Sequence, residues 1–130
     1  MRAHAGFTLI EVVLAMFLIS VGLIATAPLF VLAARQNTVG QKLGSAGAAA
    51  VRRMELLRAA PYASLAVGGN LAGNVGGYFD ASDPEVLVRW TVATNPNPPA
   101  ATKVVTVRAI AVGPSLGRGK DALLITVRGD

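Results

Sequence analysis

Residues 12–34, VVLAMFLISVGLIATAPLFVLAA, are 23 consecutive residues without a charge. A helix rises about 1.5 Å per residue, so this run spans roughly 34 Å, enough for a bilayer core about 30 Å thick. In a chain of 130 residues that leaves room for one domain, not two. The composition, 53% hydrophobic and 15% charged, is too apolar for an ordinary small soluble domain and agrees with a membrane segment plus a modest head. One residue does not fit. Glu11 stands at the start of the run, and no Lys, Arg or His lies within reach of it along the hydrophobic segment.

Arg2 and Glu11 cancel, so the whole net charge of +5 lies from Arg35 onward. A basic head can bind polyanions, although many basic heads are simply soluble. The chain has no Cys, which removes thiolate chemistry, cysteine metal sites and disulfides. Its one His is His4, beside the N-terminus, so neither a Ser-His-Asp triad nor a histidine metal site is available to the head. Nothing in the sequence suggests catalysis, and no cofactor or metal is expected.

Val39, Leu43, Ala46, Ala50, Met54 and Leu57 recur at helical spacing, with charged residues between them. The next stop signal is Pro61, which disfavours helix at Ala60. One helix is therefore expected from about Phe7 to about Ala59, lipid-buried in its first half and amphipathic in its second. Pro28 lacks an N–H, so a kink or local melting is expected there. Gly40, Gly44 and Gly47 weaken the helix unless they pack closely on a neighbour. Residues 61–84, rich in Gly, Asn and Asp, read as a loop. Three period-2 runs at 85–94, 103–112 and 120–128 read as an antiparallel meander over 85–128, with Trp90, Val107 and Ile125 buried against Leu43, Ala50 and Met54. The fold class is α+β: a long kinked N-terminal helix packed on a three- to four-stranded antiparallel sheet.

The stretch GFTLIE at 6–11, preceded by a short leader with one Arg and followed by the uncharged run, resembles the N-terminus of type IV pilins and pseudopilins. The continuation EVVLAMFLISVGLIA is most similar to PilV-type minor pilins and minor pseudopilins of type II secretion. The resemblance implies that a prepilin peptidase removes residues 1–6 by cutting after Gly6 and methylates the new amino terminus at Phe7. Residues 7–34 would then be the transmembrane and filament-core helix, and 35–130 the head. It also implies assembly roles for Glu11 and Pro28, with Glu11 pairing with the amino terminus of a neighbouring subunit. The implied location is the bacterial inner membrane in a single pass, then a pilus, in the periplasm or at the cell surface. Partners would be other pilin or pseudopilin subunits, membrane lipid and assembly-platform proteins. The function so implied is that of a minor type IV pilin; a minor type II secretion pseudopilin and a DNA-binding competence pilin are the alternatives.

Other signals are weaker. A secretory signal peptide would use ATA at 25–27, but Pro28 would follow the cut directly. GRGKD at 117–121 lacks the first Gly and the final Ser or Thr of a phosphate loop, and GGNLAGNVGG at 68–77 follows a helix rather than a strand. Asp80, Asp83 and Glu85 match no defined calcium loop and read as turn chemistry. If loop 95–102 joins two strands, Val105 faces Val92 and Arg108 faces Arg89. Like charges directly opposite are destabilising, so a reason is expected. Arg89, Arg108, Arg118 and Lys120 are candidates for a polyanion such as DNA.

Overall fold

The computed structural model describes residues 6–95, 102–113 and 121–129. Arg118 and Lys120, with most of the two expected hairpin loops, lie outside them. The chain forms two compact units that divide between Thr38 and Val39.

The first unit is a single apolar helix. Helix α1 (Leu9–Ala59) begins here, and it is long and apolar enough to cross a membrane. It stays helical through Pro28, so of the two outcomes expected there local melting does not occur. The hydroxyls of Ser20 and Thr26 donate back to the carbonyls of Met16 (2.8 Å) and Leu23 (2.9 Å). Such bonds satisfy a polar side chain inside the helix itself, which is what an apolar surrounding demands.

The second unit is a sheet with the end of α1 packed on it. Its strands are β1 (Gly68–Gly69), β2 (Phe79–Asp83), β3 (Val86–Thr94), β4 (Lys103–Ala111) and β5 (Asp121–Arg128), all antiparallel to their neighbours. The order is β1-β3-β4-β5, with β2 also pairing β3. The sheet thus has five strands, more than the meander alone supplies. The segment expected to be loop at 61–84 contributes two of them and a 3-10 turn at Tyr62–Ser64. Gly69 explains how β1 fits: at φ +93° its backbone passes so close to β3 that a Cβ would lie 2.2 Å from the Trp90 carbonyl oxygen.

The core forms where period 2 meets period 3.6. Val86, Val88, Trp90 and Val92 from β3 and Val105, Val107, Ala109 and Ala111 from β4 are buried with Ala46, Ala50 and Met54 of α1. Ala46 and Ala50 are fully buried, and side chains that short let the helix backbone sit close over the sheet. Two expected core residues are not there. Leu43 is exposed, and so is Ile125. The register explains Ile125: Val107 stands opposite Leu124, so Leu124 and Ala122 turn inward while Leu123, Ile125 and Val127 turn outward. β5 is apolar on both faces, so its own alternation could not say which face the core would take. Gly40, Gly44 and Gly47 have nothing within 4 Å of a would-be Cβ, so the close neighbour expected for them is not found among the described residues.

Candidate functional site

The N-terminal segment is built for access. Residues 6–8 have no regular structure, and α1 starts at Leu9 after the Thr8 carbonyl accepts from the N–H groups of Glu11 (3.1 Å) and Val12 (3.2 Å). The Gly6–Phe7 bond therefore lies in unwound, exposed backbone, and a Cβ at Gly6 would meet nothing within 4 Å. A peptidase needs its substrate extended, so this is where a cut is chemically accessible. Phe7 is 83% exposed.

Glu11 sits in the first turn of α1, where the unsatisfied N–H groups and the helix dipole favour a negative charge. Among the described residues no cation pairs with it. Behind it the side chains from Val12 to Leu32 are exposed in the isolated chain, Leu14, Phe17, Ile24 and Phe30 among them. An uncovered apolar surface of that length requires lipid or other helices around it. The arrangement offers an exposed Gly–Phe bond, then a carboxylate, then an apolar stem.

The opposed arginines do meet. Arg89 pairs with Arg108 and Val92 with Val105 across β3 and β4, in the register expected. Their reason is internal. Arg89 Nε donates to Asn74 Oδ1 (2.8 Å), and its guanidinium reaches the carbonyls of Leu71 (3.4 Å) and Ala72 (3.2 Å). Arg108 donates to the same Leu71 carbonyl (3.2 Å) and to Asp121 Oδ2 (2.6 Å). The two cations clamp loop 71–74 onto the outer face of the sheet, and backbone oxygens and one carboxylate separate their charges.

A second opposed pair escaped the sequence reading. Lys103 stands opposite Arg128, on the inner face. Lys103 Nζ donates to the carbonyls of Tyr62 (3.0 Å) and Leu65 (2.7 Å) and lies 4.2 Å from the centre of the Tyr62 ring. Arg128 donates to the carbonyls of Leu57 (3.0 Å) and Ala60 (2.6 Å), capping the end of α1. The clue was present: Thr94 and Lys103 continue the Val92–Val105 register, so the next strand had to place something opposite Lys103.

Arg53 of α1 holds β2. It forms an ion pair with Asp80 and lies 4.2 Å from the centre of the Trp90 ring. The Ser82 hydroxyl and backbone N–H both donate to Asp80, and with Arg53 they hold its carboxyl below the usual carboxylate range. Asp83 accepts from the N–H of Glu85 (2.8 Å), so Asp80 and Asp83 make side-chain turns of the kind expected of them. Among the described residues no three His, Cys, Asp or Glu side chains gather as a metal site would need.

A family model described as the prokaryotic N-terminal methylation motif matches residues 1–27. Comparisons with curated proteins and with solved structures give no match. The matched segment contains Gly6, Phe7 and Glu11 and ends one residue before Pro28. It implies processing by a prepilin peptidase and assembly with other pilin-like subunits.

Proposed function

We propose that the chain is a minor pilin: a structural subunit held in the inner membrane by α1, cut after Gly6, methylated at Phe7 and then built into, or used to prime, a pilus. The observation that carries this is the order of parts at the N-terminus. An exposed, unwound Gly6–Phe7 bond precedes Glu11, with which no described cation pairs, and then an uncovered apolar helix whose first part lies within the matched methylation motif.

Before assembly, Glu11 lies near the membrane edge, where water and headgroups solvate it. In a filament core it would be costly unless paired. Cleavage creates a partner, the positive amino terminus of Phe7 on a neighbouring subunit. Opposite charges about 4 Å apart attract by about 4 kcal/mol at an effective dielectric near 20, before desolvation. The same chemistry serves a minor pseudopilin of type II secretion. A DNA-binding role ranks lower, because the guanidiniums of Arg89 and Arg108 are engaged with the chain's own carbonyls, Asn74 and Asp121.

The test is mass spectrometry of the protein from its native membrane. Methylated Phe7 should be the mature terminus, and Gly6→Val should leave the precursor uncut. A terminus at Met1 or at Pro28 would refute the proposal.

A further inference from the structure

Leu65 and Val86 are both buried, yet no residue between them, from Ala66 to Glu85, is. Of the apolar side chains in this stretch only Tyr78 packs against the core. The stretch nevertheless carries β1 and β2, which lie along one edge of β3, on the side away from β4. What holds it there is polar and comes from both faces of the sheet. On the inner face Arg53 of α1 pairs with Asp80. On the outer face Arg89 and Arg108 hold Asn74 and the carbonyls of Leu71 and Ala72. Packing beneath the stretch is incomplete: an open pocket of about 340 Å³ separates its Ala66, Gly77 and Tyr78 from Leu57, Trp90 and Val92. A segment that buries little apolar area and is held by accessible polar bonds belongs to the least stable part of a fold.

The stretch is also joined to itself. The Tyr78 hydroxyl donates to the Ala66 carbonyl (3.0 Å), which ties the β2 end to the β1 end. The Tyr78 N–H donates to the Val75 carbonyl (2.9 Å), and the Ala72 N–H to Asn70 Oδ1 (2.8 Å). These bonds do not reach the rest of the head, so they survive if the stretch lifts. Its two ends stay fixed, because Leu65 and Val86 belong to the core. We propose that residues 66–85 form a strap that opens as one unit, hinged at Leu65 and Val86. Opening bares one edge of β3 while β3, β4, β5 and the end of α1 stay packed. The strap lies wholly within the head and does not involve the N-terminal motif.

Successive amides of a strand point to its two neighbours in turn. The Trp90 N–H donates to the Tyr78 carbonyl (3.0 Å), so it and the Val88 N–H face the strap, while those of Arg89 and Thr91 face β4. Residue-resolved hydrogen exchange on the full chain in detergent micelles at neutral pH therefore separates strap opening from unfolding of the head. Val88 and Trp90 should share one protection factor, about tenfold or more below that of Arg89 and Thr91. Equal protection at all four amides would overturn the proposal, and so would separate values for Val88 and Trp90, which would mean piecemeal fraying. Asn74→Ala removes an outer-face bond from the strap alone and should lower protection at Val88 and Trp90 by about fivefold, leaving Arg89 and Thr91 unmoved. A uniform fall, or none, would count against a strap. Gly69→Ala should hold the strap off, because at φ +93° its Cβ would lie 2.2 Å from the Trp90 carbonyl oxygen. Protection should then vanish at Val88 and Trp90 and persist at Arg89 and Thr91; loss at all four together would show that strap and sheet are one cooperative unit and overturn the proposal.

Discussion

Arg128 gives the sharpest test of how the head is closed. Replacing it with Met keeps most of the apolar stem and removes the bonds to the Leu57 and Ala60 carbonyls at 3.0 and 2.6 Å. Hydrogen bonds to a charged group contribute about 1.5–3 kcal/mol each when buried. Here the side chain is half-buried and the released carbonyls can turn to water, so the combined loss is set at about 1–2 kcal/mol, including the helix-end charge interaction. For a head of this size each kcal/mol moves the melting temperature by about 4–8 °C, so a fall of about 5–15 °C is expected. Trp90 is the only tryptophan, is buried in the head and lies against Arg53, so its emission follows head unfolding alone. The assay is a thermal scan of Trp90 fluorescence on the full chain in detergent micelles. Arg128→Lys should recover part of the loss, since an ammonium keeps the charge but not the fixed donor directions of the single Nη1 group that serves both carbonyls. A melting temperature for Arg128→Met within about a degree of the parent would show that the cap contributes nothing measurable and that water serves the helix end equally well.

Met54→Asp should unfold the head, because it buries a charge with no partner among core valines; an unchanged Trp90 scan would mean that α1 does not cover the sheet at that point. Glu11→Leu should leave membrane insertion and the cut after Gly6 intact but keep the subunit out of filaments, measured by fractionating sheared filaments from membrane; normal amounts of the variant in filaments would show that the carboxylate does not dock this subunit. Asp80 has a lowered pKa in the folded head, from Ser82 first and Arg53 after it, so its contribution is present at neutral pH and is lost as acid protonates the folded carboxylate. The head should therefore lose stability from about pH 3.9 downward, and Asp80→Asn should melt lower at neutral pH with a flatter acid limb in the same fluorescence scan. A parallel limb in Asp80→Asn would assign the acid loss to other groups.

The helix and the β3–β4 ladder were legible because each carries one unbroken period: apolar every third or fourth residue to Leu57, and alternate apolar residues through Val86–Val92 and Val105–Ala111. The register followed from loop length, which placed Arg89 against Arg108. Three things were not legible, each for a physical reason. β5 is apolar on both faces, so only its pairing with β4 decides that Leu124 goes in and Ile125 out. β1 and β2 are two and five residues long, below what alternation can signal, and they exist because Gly69 and the Arg53–Asp80 pair hold them to β3. The destination of each cation was hidden because its acceptors are mainly backbone carbonyls, which every residue has. At the N-terminus the position is reversed. Gly6, Phe7 and Glu11 declare themselves in the sequence, while among the described residues no cation pairs with Glu11.

The Arg128 cap also ties the order of synthesis to the order of folding. The helix end it serves is made 71 and 68 residues earlier, as Leu57 and Ala60, and β4 gains its second neighbour only when the same strand arrives. Until then Val105 and Val107 of β4 have a strand neighbour on the β3 side only, and the end of α1 lacks its cap. A ribosome that stops short of residue 128 would leave a chain with its apolar helix and the matched N-terminal motif but without this closure of the head. Placing the fastening residue in β5 makes head closure a record that translation has run through every described strand of the sheet.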